Sequence, residues 1–195
     1  MEMDEQGLMA RIQKGDEAAF AEIVQVYKDR IVNYLCQVTG DYQRAVDLSQ
    51  ETFLRVFFKA HKYRPIAPLS SWIYAVASNL AKTELKKRRR ANLVSFEDVG
   101  PGLEASVPSE EATDSGLIRN LREALDGLSP RYRIPVVLKD MEGYSQEEIA
   151  RIIKRPVGTV KARISRGRSM LRKKLEKAVK NDVPFEKREM LDGRC

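Results

Sequence analysis

The N-terminal half of the chain carries three stretches in which apolar residues recur every three or four positions. The first follows Asp16 and runs through Phe20, Ile23, Val24, Tyr27, Ile31, Tyr34 and Leu35. The second follows Gly40 and Asp41 and runs through Ala45, Leu48, Thr52, Val56 and Phe57, and the third follows Pro68 and runs through Trp72, Ile73, Val76 and Leu80. This spacing predicts three amphipathic helices. Two prolines predict a loop between the second and third, from His61 to Pro68.

The C-terminal half continues the helical pattern. Leucines at 117, 121, 125 and 128 predict a helix that ends near Gly127, and Ser129 followed by Pro130 predicts the start of the next one. Pro135 should kink that helix, and Gly143 should close it. Because no stretch alternates apolar and polar residues in the manner of a strand, the predicted class is all-α.

Charge divides the chain into blocks. Residues 91–118 carry six acidic and no basic residues, with several Gly and Pro, whereas residues 119–180 carry 17 basic and seven acidic ones. This contrast predicts two small helical domains, at 8–92 and 117–180, joined by a flexible acidic linker at 93–116 and followed by a tail at 181–195.

Composition narrows the class of protein. The 195 residues carry a net charge of +7, which favours a polyanionic partner, either nucleic acid or a membrane surface. The longest uncharged stretch, 65–81, contains two prolines and is too short to span a membrane, so no membrane insertion is expected. The acidic N-terminus does not resemble a secretory signal, which predicts a cytoplasmic protein. Two cysteines and one histidine cannot form a metal cluster, so no metal or cofactor is expected.

The most informative stretch is residues 143–168. Ser145 and Glu148 have the spacing of a capping box, and the short helix that they start is followed by a turn containing Pro156. A longer helix then begins around Val157 to Thr159, and Ser145 to Lys180 holds 12 basic residues against three acidic ones. This pattern predicts a helix-turn-helix whose second helix enters the major groove of DNA. Its Lys and Arg residues would neutralise phosphates, and Arg can also bind guanine.

Two other classes of protein compete with this interpretation. A transcription regulator with a helical sensory half would bind duplex DNA without any partner. An enzyme such as a nuclease is disfavoured because paired carboxylates at metal-ligand spacing and a Gly-rich phosphate loop are both missing from the sequence.

Several motifs resemble the extracytoplasmic-function (group 4) RNA polymerase sigma factors of the sigma-70 family. LSPRYR at 128–133, GYSQEEIA at 143–150 and PVGTVKAR at 156–163 look like the fourth conserved region of that family. GDEAAF at 15–20, AVDLSQETFL at 45–54 and SWIYAVASN at 71–79 look like its second conserved region. The resemblance implies a sigma region 2 helical bundle at 8–92 and a sigma region 4 helix-turn-helix at 117–180.

The resemblance also implies function, partners and site residues. The protein would bind core RNA polymerase through the beta-prime clamp and the beta flap and direct transcription from promoter DNA. It would be controlled by an anti-sigma factor. The implied polymerase-binding residues are Asp47, Leu48, Gln50, Glu51, Phe53 and Leu54. Region 2 would recognise and melt the minus-ten element with Asn79 and with Lys62 and Arg64 in the loop, and Lys86 and Arg88 would contact phosphates. Region 4 would read the minus-thirty-five element with Arg155, Thr159, Lys161, Ala162, Arg163, Ser165 and Arg166.

Four positions depart from the family pattern. Val46 stands where the family usually has Glu, and Thr83 and Lys86 stand where it often has Asp and Arg. Gly167 replaces a common alanine and should cost about 1 kcal/mol of helix propensity.

Overall fold

The computed structural model describes the chain at residues 4–98 and 116–182. Within these ranges the structure is helical and contains no strand. The N-terminal unit consists of α1 (Glu5–Ile12), α2 (Glu17–Thr39), α3 (Tyr42–Phe58), a 3₁₀ turn at Ala60–Lys62 and α4 (Leu69–Asp98). The C-terminal unit consists of α5 (Gly116–Asp126), α6 (Pro130–Asp140), α7 (Gln146–Ile153) and α8 (Val157–Asp182). The all-α prediction is confirmed.

Aspartate side chains cap the first three helices. Asp4, Asp16 and Asp41 each accept a hydrogen bond from the backbone N–H three residues later, at 2.9, 3.0 and 3.0 Å. Such caps satisfy amide groups that have no partner inside the helix. Gly40 ends α2 in the left-handed conformation, at a φ of 72°, which glycine adopts without strain.

Each unit buries its own apolar residues. In the N-terminal unit α2 lies in the centre and contacts α1, α3 and α4, with Ile23, Ile31 and Leu35 fully buried. In the C-terminal unit α8 contacts α5, α6 and α7. Ile149 of α7 and Val160 of α8 are fully buried there.

The two units also contact each other. Helix α2 contacts α5 and α6, and α4 contacts α6 and α7. The side chain of Arg133 on α6, which is 5% exposed, donates hydrogen bonds to the backbone oxygen of Val38 and to the carboxylate of Asp126, both at 2.8 Å. Burial lowers the pKa of Arg133, while Asp126 acts in the opposite direction. The arginine therefore joins the C-terminus of α2 to the turn between α5 and α6.

Aromatic residues form the second part of this contact. The Tyr74 hydroxyl on α4 donates to the carboxylate of Glu142, which follows α6. The rings of Tyr74 and Tyr144 meet edge to face, with centroids 5.1 Å apart. Aromatic pairs favour this arrangement.

One helix and three helix boundaries differ from the prediction. Helix α1 was not predicted, because its apolar residues Leu8, Met9 and Ile12 are too few to establish a period. Helix α4 continues to Asp98, six residues beyond the predicted end of the first domain, and Gly116 begins α5. Helix α6 ends at Asp140, three residues before Gly143, which lies in the following turn with a φ of 77°. The remainder of the predicted linker, 99–115, and the tail from 183 lie outside the described residues.

Candidate nucleic-acid and polymerase interfaces

A helix-turn-helix is formed by α7 and α8. The Ser145 hydroxyl accepts the Glu148 N–H at 3.2 Å, and the Glu148 carboxylate accepts the Ser145 N–H at 2.8 Å, so the predicted capping box is present. Lys154 ends α7 in the left-handed conformation, at a φ of 51°, and α8 begins three residues later. Contact between α7 and α8 fixes the direction in which α8 leaves the unit.

The outer face of α8 brings together most of the residues predicted to read the minus-thirty-five element. A hollow of about 420 Å³ is lined by Gly158, Thr159, Ala162, Arg163 and Arg166 of α8, together with Arg131 and Tyr132 of α6. No acidic residue in the described ranges lines this hollow. Lys161 and Ser165 of α8 are exposed but do not line this hollow.

Two neighbouring arginines differ in their availability to a ligand. Arg166 forms no ion pair with any described carboxylate, whereas Arg168 pairs with Asp140 through Nε and Oδ2 at 3.0 Å. Arg131 was not predicted as a site residue, because it comes from α6 rather than from the helix-turn-helix motif. Its guanidinium lies 4.6 Å from the centre of the Tyr132 ring, and this contact holds it at the edge of the hollow.

A second cleft, of about 120 Å³, lies between the two units. It is lined on one side by Ser78, Asn79 and Lys82 of α4, and on the other by residues that include Arg131, Arg155 and Arg163. The sequence assigned Asn79 to the minus-ten element and Arg155 and Arg163 to the minus-thirty-five element. The structure brings all three to one cleft. Asn79 is exposed, so its amide needs no partner in the core.

The loop before α4 presents polar and apolar groups to solvent. Lys62 is exposed, and Ile66, at 88% exposure, is the most exposed large apolar residue of the described ranges. Tyr63 is buried, and its ring lies against Trp72 with centroids 5.3 Å apart. Arg64 bends back and donates to the backbone oxygens of His61 and Tyr63, at 2.9 and 3.0 Å. This contact makes Arg64 part of the loop scaffold, and Lys62 and Ile66 remain free.

The two phosphate-contact candidates on α4 also differ. Lys86 is exposed and has no ion pair among the described residues. Arg88 lies 3.8 Å from the carboxylate of Asp41 and donates to the backbone oxygen of Thr39 at 3.4 Å. Its charge is partly offset by Asp41.

The residues predicted to bind polymerase divide between the surface and the core. Leu48 and Phe53 are buried, because they lie on the α3 stripe that packs against α2 and α4. In this structure both side chains therefore belong to the core of the N-terminal unit, and their part in polymerase binding stays a prediction. The other four predicted residues lie on the outer face of α3: Asp47, Gln50, Glu51 and Leu54. Phe58, which the sequence analysis did not name, is exposed on the same helix.

Leu54 and Phe58, four residues apart, are 51% and 71% exposed. The sequence could have indicated Phe58 through its four-residue spacing from Leu54, which places both side chains on one face of a helix. Charged side chains lie along the same helix, where Glu51 accepts from Arg55 at 2.7 Å and Asp47 lies 3.4 Å from Arg44. An exposed apolar pair next to charged residues is typical of a protein-binding surface.

The helical fold and the basic helix-turn-helix define a DNA-binding protein, and comparison with known proteins specifies which kind. Residues 23–91 match the Sigma-70 region 2 family, and residues 118–171 match Sigma-70, region 4. The ECF RNA polymerase sigma factor SigW of Bacillus subtilis is 33% identical over 90% of this chain and 98% of its own length. The corresponding SigE of Mycolicibacterium smegmatis is 36% identical over 84% of this chain and 65% of its own.

A solved structure has the same fold. The sigma factor RpoE of Bartonella quintana, crystallised in complex with the anti-sigma factor NepR, superposes with a TM-score of 0.64 at 22% identity, over 80% of this chain and 96% of its own. The chain belongs to the ECF RNA polymerase sigma factors of the sigma-70 family. It is a promoter-specificity subunit of RNA polymerase.

Two further observations concern the described residues alone. None of their helices combines the length and the apolar character that crossing a membrane requires. They also contain no group of three or more His, Cys, Asp or Glu side chains that could hold a metal ion.

Proposed function

We propose that the two units divide promoter recognition between them. The N-terminal unit binds the beta-prime clamp with the exposed face of α3, and it reads and melts the minus-ten element with Lys62, Ile66 and Asn79. The C-terminal unit contacts the beta flap and reads the minus-thirty-five duplex with α8. The exposure of Leu54 and Phe58 on α3 and the free Lys62 in the loop support this division.

One observation carries the minus-thirty-five assignment. Thr159, Ala162 and Arg166 lie at helical spacing along one hollow that holds arginines and no described acidic residue. A recognition helix needs such a face, because base edges are read by donors and phosphates are neutralised by cations. Arg131 of α6 adds a cation to this hollow, as a phosphate contact that fixes the register on DNA would require.

Transcription with purified core polymerase tests the assignment. Arg166→Ala should reduce output from a promoter with a matched minus-thirty-five element by about tenfold or more, the effect of losing one good base contact. Arg172→Ala is the matched control, since it removes the same charge from an exposed position on α8 that does not line the hollow. Equal loss in both variants would show that α8 contributes only general charge, and no loss in either would overturn the assignment.

The polymerase surface is tested by binding to core enzyme in the absence of DNA. Leu54→Ala combined with Phe58→Ala should weaken binding by about tenfold or more, since large apolar side chains at the centre of an interface carry most of its energy. Tyr42→Ala is the control, because Tyr42 is 65% exposed at the start of α3 and away from this pair. An unchanged affinity would place the clamp contact elsewhere.

We also propose that an anti-sigma factor controls this chain and that it acts in the cytoplasm. The support is family membership and the shared fold with RpoE of B. quintana, which was solved with its anti-sigma factor. A partner that covers the α3 face would compete with core polymerase. Competition binding between a candidate anti-sigma protein and core enzyme, with the Leu54 and Phe58 double variant as control, tests this proposal.

A further inference from the structure

Helix α1 lies outside both family-matched segments, which begin at residues 23 and 118. It packs against α2, and Leu8, Met9 and Ile12 are buried in this contact. These apolar contacts explain why the helix is held in place. They do not explain the polar residues at its two ends.

Both ends of α1 contact the loop before α4. Gln13, directly after α1, donates from Nε2 to the backbone oxygens of Ala60 at 3.0 Å and Tyr63 at 3.4 Å, where the loop begins. Glu5, the first residue of α1, accepts the backbone N–H of Leu69 through Oε2 at 3.3 Å, where the loop ends. Its other oxygen accepts from the hydroxyl of Tyr27 on α2.

These contacts use groups that would otherwise lack partners. Leu69 is the first residue of α4, and the N–H groups of a first helical turn have no acceptor inside the helix. Tyr27 fixes the Glu5 carboxylate from the core side. An eight-residue helix is about 12 Å long, at 1.5 Å per residue, so α1 sets a fixed separation between its two contacts.

We infer that α1 is a strut that holds the loop at residues 61–68 in its reading conformation, and that Gln13 and Glu5 are positioning residues for minus-ten recognition. Neither side chain needs to touch DNA. Each acts by fixing the backbone from which Lys62 and Ile66 project. The inference rests on the proposed function of the loop, and the experiment separates the two.

The experiment uses the full chain with core polymerase on paired promoters that share a minus-thirty-five element and differ at single minus-ten positions. Gln13→Glu keeps the size of the side chain but replaces its donor with an acceptor that faces two carbonyl oxygens. We expect it to reduce discrimination between matched and altered minus-ten elements by about fivefold, the effect of one typical hydrogen bond. Glu5→Ala should have a similar effect and should accelerate hydrogen exchange at the Leu69 amide.

Gln6→Ala is the matched control, because Gln6 lies on the same helix, is exposed and forms no side-chain hydrogen bond with the described residues of the loop. Its minus-ten profile should equal that of the unmodified chain. In the Gln13 and Glu5 variants the dependence on the minus-thirty-five element should stay close to that of the unmodified chain. A purely structural role would instead lower output equally on every promoter.

Ile66→Ala distinguishes failure of the strut from failure of the proposed function. If Ile66→Ala changes the minus-ten profile and the Gln13 and Glu5 variants do not, the strut inference is overturned and the function of the loop stands. If Ile66→Ala and the strut variants all leave the profile unchanged, the proposed function of the loop fails as well. An altered profile in all three, with Gln6→Ala unaffected, supports the inference.

Discussion

Glu148 closes the capping box of α7, and its hydrogen bonds have a measurable electrostatic consequence. The Ser145 backbone N–H and hydroxyl both donate to this carboxylate, at 2.8 and 2.7 Å, and lower its pKa below the ordinary 4.5. A carboxylate with a lowered pKa in the folded state stabilises the fold above its ordinary pKa. That stabilisation is lost as the pH falls through the lowered value.

Two variants test this contribution. Ser145→Ala should raise the Glu148 pKa toward its ordinary value, as followed by NMR titration of the carboxyl group. Glu148→Gln should reduce the acid sensitivity of the C-terminal unit below about pH 4.5, since it removes the titrating group. Glu147→Gln, one residue earlier and exposed, serves as the control and should leave both measurements unchanged. Because the Ser145 backbone N–H remains in Ser145→Ala, an unaltered Glu148 pKa in this variant would show that the hydroxyl does not contribute to the lowered pKa.

The crossing of α6 and α8 depends on one glycine. The sequence analysis predicted only that Gly167 lowers helix propensity. The structure explains why glycine rather than alanine occupies this position. A Cβ at this position would lie 2.6 Å from Cγ2 of Val136 and 3.4 Å from the backbone oxygen of Tyr132. Val136 is buried and branched, so it has little freedom to move away.

Alanine substitution at two glycines of α8 should therefore have opposite effects. Gly167→Ala gains about 1 kcal/mol of helix propensity but overpacks the crossing, which typically costs about 1 to 3 kcal/mol, so we expect a net loss of stability. Gly158→Ala, with no atom within 4 Å of the added Cβ, should raise stability by up to about 1 kcal/mol. Denaturant unfolding measures both changes. A stabilised Gly167→Ala variant would contradict the tight crossing.

At the scale of elements, local signals predicted the helices well. Asp16, Gly40, Asp41 and Ser145 bound their helices as expected, because capping depends on residues close in sequence. The site was only partly predictable. The motif identified α8, but Arg131 joins its hollow through tertiary packing. Likewise, the motif over α3 included Leu48 and Phe53 with the exposed residues, because a family motif records positions and not the face on which each side chain lies.

For the whole molecule, the contact between the units opposes simultaneous binding of both promoter elements. Asn79 and Arg163 line one cleft, whereas elements centred at minus ten and minus thirty-five are about 25 base pairs apart, or about 85 Å at 3.4 Å per base pair. On the proposed assignment of Asn79 and Arg163, the units must therefore separate before both elements can be bound. Fully extended, the 17 residues from 99 to 115 would span about 56 to 61 Å, so the two units themselves must cover the rest of the 85 Å.

If separation precedes binding, weakening the contact between the units should improve apparent affinity for core polymerase. Tyr74→Phe keeps the ring against Tyr144 but removes the hydroxyl that donates to Glu142 across the interface. Since the apparent dissociation constant scales inversely with the fraction of competent molecules, loss of this bond should tighten binding by up to about fivefold. Small-angle scattering should show a larger radius of gyration for the free variant.

Tyr34→Phe is the matched control for this prediction. It also removes a buried tyrosine hydroxyl, but the partner of that hydroxyl, Ser78 Oγ at 2.7 Å, lies in the same unit. The control should lower the stability of the N-terminal unit without enlarging the free chain or improving its affinity for polymerase. If Tyr74→Phe behaves like Tyr34→Phe, with reduced stability but unchanged radius and affinity, then contact between the units does not limit assembly with polymerase.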